Sequence, residues 1–106
     1  MHINNNDDES YYAVIFSSVR TNGDPGYELM AAAMMELAQK QAGFLSVDSA
    51  REDIGITVSY WTSLESIKNW KAQIDHTIAR NRGREQWYSS YTVRICKVVH
   101  EYSFIK

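Results

Sequence analysis

The stretch Gly55-Ile-Thr-Val-Ser-Tyr-Trp-Thr-Ser-Leu-Glu-Ser-Ile-Lys-Asn-Trp70 changes its hydrophobic period at one junction, from two to about 3.6. Ile56, Val58 and Tyr60 alternate with Thr57, Ser59 and Trp61, so the first half reads as a strand with β-branched and aromatic side chains on both faces. Both faces of such a strand need covering. Thr62 offers a side-chain oxygen to the first free helical amides, and Glu65 stands three residues on, the spacing of a capping box. A helix follows, with Leu64, Ile67, Trp70, Ile74 and Ile78 on one side and Lys68, Asn69 and Lys71 largely outside it. Trp70 lies near the edge of that stripe, where a large ring more commonly caps a core and less commonly walls a cavity.

Working outward, Phe44 to Arg51 reads as a strand, and Arg51 to Gly55 as the turn of an antiparallel hairpin. Before it, Tyr27, Met30, Met34, Leu37 and Ala38 mark a helix face, joined by Leu29 and the small Ala31, Ala32 and Ala33. Asp24 followed by Pro25 is a start signal for that helix, and Gly43 supplies a left-handed stop. Its methionines read as gap-fillers in a core. Tyr11 to Val19 carries no charge and has the composition of a central strand. Residues 1–10 read as a loose polar tail, in which His2 is solvated, leaving 11–106 as the folded domain.

Beyond Trp70, Ala72 to Tyr88 stays helix-like, with a break at Gly83. Lys71, Arg80, Arg82 and Arg84 make this the most basic region; a solvated face is the plain explanation and an anion-accepting rim the sharper one. Tyr91 to Phe104 reads as one strand, longer than a compact monomer needs and apolar at both parities.

A chain of 106 residues makes one domain. Its formal charge of -2 lacks the basic excess that phosphate backbones require, which argues against a nucleic-acid partner. No apolar run approaches the roughly 20 residues of a membrane span, and the first residues lack a leader's basic-then-apolar pattern, so a cytoplasmic protein is expected. Cys96 is the sole cysteine, which excludes an internal disulfide and a cysteine-built metal site; Ile95 and Val98 beside it suggest a buried, inert thiol. There is no glycine-rich phosphate loop, no His-Glu-x-x-His and no recognisable nucleophile setting. No metal site built by the protein is expected.

Strand, helix, strand, strand, helix, strand is the split β-α-β order of an α+β, ferredoxin-like domain: a four-stranded antiparallel sheet with helices on one side. Apolar side chains on both sheet faces would leave a large exposed patch, and pairing with a second copy removes it. A homodimer is expected on that ground alone.

Tyr12-Ala-Val-Ile-Phe-Ser, Gly43-Phe44, Ser59-Tyr-Trp61-x-Ser63-x-Glu65, Trp70 and Tyr91-x-Val-Arg-x-x-x-Val together resemble the antibiotic biosynthesis monooxygenase (ABM) domains, related to haem-degrading monooxygenases. The resemblance spans about Tyr11 to Phe104. It implies a cytoplasmic homodimer, a dimeric α/β barrel, with a pocket in each subunit between sheet and helices. There, cofactor-independent members oxygenate aromatic polyketides, and haem-degrading members use haem as substrate and cofactor. Trp70 falls where the haem-degrading branch carries its pocket tryptophan. An asparagine of that branch is replaced in the first strand, where Phe16, Ser17 and Ser18 stand, and its iron-ligating histidine is replaced by Arg80. His76 is the nearest imidazole, about 120° around a continuous helix from Trp70.

The residues carried forward are Trp70 and His76 as catalytic candidates, with Phe16, Ser17, Tyr60 and Arg80 as substrate-binding ones. Tyr60 and Trp61 point to opposite faces, so at most one of them lines the same cavity. The cofactor is none, or haem. The function expected is an ABM-type monooxygenase acting on a small aromatic or haem-like substrate; the alternative is a non-catalytic, ligand-binding or stress-associated dimer on the same scaffold.

Overall fold

In this computed structural model, which describes residues 2–4, 10–21, 26–81 and 87–106, the chain runs β1 (His2–Asn4), β2 (Tyr11–Arg20), α1 (Tyr27–Lys40), β3 (Phe44–Arg51), β4 (Gly55–Trp61), α2 (Leu64–Asn81), β5 (Tyr88–Val98) and β6 (Glu101–Ser103). The side chains of 2–4 and 77–81 lie outside the description. β2 to β5 form an antiparallel sheet in the order β3-β4-β2-β5, the α+β ferredoxin-like arrangement. β2, uncharged from Tyr11 to Val19, is central, as its composition suggests, between β4 and β5.

Register sorts the side chains by face. Val14 stands between Ser59 and Ile95, and Tyr12 between Trp61 and Lys97, on the helix side. Ala13, Ile15 and Ser17, with Tyr60, Val58 and Ile56, occupy the other side. The core joins Val14, Ala38, Trp61 and Ile67, with Tyr12, Phe44 and Trp70 packed against it. Trp61 is fully buried and its indole N–H donates to Ser59 Oγ at 2.9 Å, so its one polar atom is satisfied. No helix among the described residues is long and apolar enough to cross a membrane.

Several local expectations shift. The cap of α2 is Ser63, one residue later than Thr62: Ser63 Oγ accepts from Ser66 N at 3.1 Å. The Thr62 amide is already taken, donating to the Gly43 carbonyl at 2.8 Å. Leu64, expected in the buried stripe, is exposed, as is Leu29 on α1. α1 starts at Tyr27 after Gly26, while Asp24, Pro25 and Gly83 lie outside the described residues. The expected long terminal strand starts earlier, at Tyr88, and is interrupted at Val99 and His100. Its outer piece, β6, leaves the main sheet to pair with β1, within the segment read as a tail. Burial and a hydrogen bond to the Glu101 carboxylate push the Tyr11 phenol up to about 12, which ties β6 to the start of β2. Cys96 is exposed rather than buried, because it lies on the sheet face that no helix covers.

Gly43 holds φ at 92°, two residues past the α1 C-cap Gln41, and turns the chain into β3. A Cβ there would fall 2.7 Å from Ser66 Cβ, Ser66 Oγ and Thr62 Oγ1. Gly43→Ala therefore combines left-handed strain with overpacking of the α2 start and should cost about 2–4 kcal/mol. Urea unfolding measures it, and a loss below about half a kcal/mol would show that the turn relaxes freely.

Candidate functional site

The helices lean on β3 and β4, so the helix-facing side of β5 is left partly uncovered. Val93 is 47% and Ile95 49% exposed, although their register neighbours Phe16 and Val14 are more buried. These half-exposed side chains leave an apolar strip along β5 beside the helix layer. Its aromatic end is built by register: Phe16 faces Val93, and its ring lies 5.5 Å from Tyr91, stacked, and 5.4 Å from Tyr88, edge-on. Tyr88 meets Tyr27 of α1 edge-on at 5.8 Å, which joins the helix layer to the floor. Buried Trp87 sits beside Tyr27.

Burial, followed by a hydrogen bond to Tyr27, raises the Tyr88 phenol above its usual range, while Arg51 and Arg20 pull the other way. Tyr88 keeps its proton throughout the physiological range. The strip is thus apolar and aromatic, with neutral hydroxyls beside it.

The residues expected from sequence divide between the two sheet faces. Phe16 packs in the aromatic cluster with Tyr88 and Tyr91 on the helix side. Ser17 and Tyr60 are on the opposite face, Ser17 opposite Ile56 and Tyr60 opposite Ala13. Tyr60 there lines a hollow of about 1090 Å³ across the open face, with Ile15, Val58, Leu45 and Cys96. Trp70 is on the helix side, stacked on Trp61 at 4.8 Å. Trp61, in register with Tyr12, is four residues along β2 from Phe16, about 13 Å of strand. His76 is exposed on α2, and the Arg80 side chain lies outside the description. Trp70 and Phe16 therefore share a side, while Ser17 and Tyr60 do not join them.

Trp70 lines neither the open-face hollow nor the smaller one at the start of α1. Its Nε1 is buried without a hydrogen-bond partner. Trp70→Phe deletes that unpaired donor and keeps a stacking ring, so unfolding free energy should stay within about 1 kcal/mol of wild type. Trp61→Phe, by contrast, removes the donor that satisfies buried Ser59 and should cost about 1–3 kcal/mol. Parallel urea melts of the two variants decide this, and a reversed order would mean that Trp70 N–H is bonded in solution.

Sequence reading misses Tyr88, Tyr27 and Arg51. A signal for Arg51 exists, because it stands opposite Gly55 across the hairpin, and a glycine facing a long side chain leaves room for it to cross the strand. Nothing comparable marks Tyr27, which reaches Tyr88 only through the packing of α1.

No protein-family model matches the chain. It is 51% identical over 90 residues to YqjZ, an uncharacterized protein of Bacillus subtilis (strain 168), covering 83% of this chain and 79% of that one. Among solved structures it is similar to SnoaB, a cofactor-independent oxygenase from Streptomyces nogalater, with a TM-score of 0.62 at 16% identity over 92% of this chain and 99% of that one. It is also similar to a mutant of MhuD with two manganese protoporphyrin IX bound per active site, with a TM-score of 0.67 at 17% identity over 88% of this chain and 99% of that one. These likenesses establish a shared fold.

Proposed function

This chain belongs to the family of Bacillus subtilis YqjZ and has the fold of the antibiotic biosynthesis monooxygenases, and on that premise we propose that it is a monooxygenase of that type, working as a cytoplasmic homodimer. Its substrate is a small, electron-rich aromatic held between sheet and helices. The observation that supports this reading is the aromatic cluster on the helix-facing side of the sheet, where Phe16, Tyr88 and Tyr91 pack ring against ring beside half-exposed Val93 and Ile95.

Such an aromatic surface supports oxygenation without a cofactor. A substrate whose activated C–H₂ carbon loses a proton becomes a carbanion that reduces dioxygen, giving C=O and water, so the electrons come from the guest itself. The chain's part is to orient the ring, exclude water and keep neutral hydroxyls along the wall. Trp70, beside Trp61, closes the other end of the helix side.

Haem suits the described residues less well. Iron needs an axial ligand, yet His76 is exposed and turned about 120° from Trp70 on α2. Arg80, a guanidinium, has no lone pair to offer. A second reading, a binding dimer without chemistry, is favoured by one feature: Trp70 lines neither hollow and packs as a core residue.

Oxygen uptake separates the readings. With dithranol, an activated anthrone, the purified protein should accelerate oxygen consumption at least tenfold over buffer, and Phe16→Ala should remove most of that gain. Binding of dithranol without acceleration would favour the non-catalytic dimer. A haemin titration in parallel should give no sharp stoichiometric Soret shift; a shift abolished by His76→Ala would restore the haem reading.

A further inference from the structure

We propose that Asp48 of one copy and Arg94 of a second form a reciprocal pair of salt bridges across the open sheet face, and that these bridges fix which way the two sheets lie on each other. This rests on the homodimer reading and names the contact that orients it.

Register lines up four side chains in one row across the sheet. Asp48 on β3 stands opposite Val58 on β4, Val58 opposite Ile15 on β2, and Ile15 opposite Arg94 on β5. β3 and β5 are the two edges, so an acid and a base end the row with apolar side chains between them. They are the sole charges that β2 to β5 send to this face, because Arg20, Arg51 and Lys97 fall on the helix side. Glu101 of β6, at the rim of the open-face hollow, is held by the Tyr11 hydroxyl. Three strand spacings, about 14 Å, separate Asp48 from Arg94, too far for a bond within one subunit. Both are exposed, and among the described residues neither forms an ion pair.

A two-fold axis between sheets packed face to face can run along the strands or across them. Along the strands, it carries β3 of one copy over β5 of the other and keeps every row in step. Asp48 then meets Arg94 at both ends of the shared row, where a guanidinium can take the carboxylate bidentately. Stacked sheets lie about 10 Å apart, a gap that an arginine and an aspartate side chain together bridge. Across the strands, centred on the same row, the axis sets β3 on β3 and β5 on β5, so like charges meet at both ends.

Side-chain size favours the same axis. Along the strands, β4 of one copy crosses β2 of the other, so Tyr60 falls on Ala13 and Ile56 on Ser17, each a large side chain on a small one, with Val58 on Ile15 between them. Across the strands, Tyr60 falls on Ile56 and Ala13 on Ser17, which wedges the sheets apart at one strand and leaves a gap at the next.

Sedimentation equilibrium on the full chain at low salt tests this, with far-ultraviolet circular dichroism as the folding control. Asp48→Arg should raise the dimer dissociation constant by roughly tenfold or more, and so should Arg94→Asp, because each brings like charges together twice. The double exchange, Asp48→Arg with Arg94→Asp, should bring the constant back to within about threefold of wild type. Single variants that leave the constant unchanged would overturn the salt bridges while the homodimer stands. Single variants that weaken it without recovery in the double exchange would overturn the pairing of these two residues. A wild-type chain that stays monomeric would remove the homodimer and this contact with it. The two single variants carry the same prediction separately, so loss of fold in one leaves the other to decide.

Discussion

Trp61→Ala should lower the free energy of unfolding by about 3–5 kcal/mol, shifting the urea midpoint by on the order of 2 M. Trp61 is fully buried where β4 meets the start of α2, and the surrounding contacts depend on it. Its ring stacks on Trp70 at 4.8 Å and meets Phe44 edge-on at 5.4 Å. Its register partners are Tyr12 and Phe44, so it also tiles the floor between two strands. Its N–H satisfies Ser59, itself buried in the next helix-facing position. Truncation would open a cavity and strand a hydroxyl together, two penalties that do not relieve each other. A domain of this size has roughly 5–15 kcal/mol in total, so the variant should be barely folded at physiological temperature. A loss under about 1 kcal/mol would mean that Trp70 and Phe44 collapse into the space.

The same residue shows how much of the architecture is legible in one dimension. The change of period after Trp61 locates the strand-to-helix junction because burial imposes both periods, and the alternation of Tyr60 with Trp61 assigns them correctly to opposite faces. What fails is set by contacts distant in sequence. The Thr62 amide is claimed by the Gly43 carbonyl, on the far side of the β3–β4 hairpin, which leaves Glu65 nothing to reach back to, and the cap is made by Ser63. The break at Val99 and His100 carries no glycine or proline, and only the departure of β6 to meet β1 produces it.

The site is less legible than the fold for the same reason. Phe16 enters through the resemblance alone, as one of the residues standing where an asparagine is expected. The rings that cluster with it, Tyr88, Tyr91 and Tyr27, come from β5 and α1 and converge only after the sheet has closed. Ser17, adjacent in sequence to Phe16, is sent to the other face by the pleat. Cys96, expected inside because its neighbours are apolar, is exposed because apolar neighbours also occur on the open face of the sheet.

That open face, proposed above as the dimer interface, leads to the other large effect. Replacing both Leu45 and Ile56 by Asp should weaken self-association at least a thousandfold while leaving the subunit folded. The two side chains are 49% and 47% exposed, so each carboxylate can stay hydrated in a lone subunit and cost it little. Leu45 lines the open-face hollow, and Ile56 stands opposite Ser17 and Ala50 on the same side, away from the core that holds Trp61. In a two-fold dimer each substitution enters the interface twice, placing four unpaired carboxylates where apolar surface had been buried. Sedimentation velocity at micromolar concentration, with far-ultraviolet circular dichroism as the folding control, should show a wild-type dimer and a folded double-variant monomer. A wild-type monomer at those concentrations would refute the dimer outright. A variant that still dimerises would move the interface elsewhere, to the exposed Tyr102, Phe104 and Ile105 of the C-terminal segment, which the two substitutions leave intact.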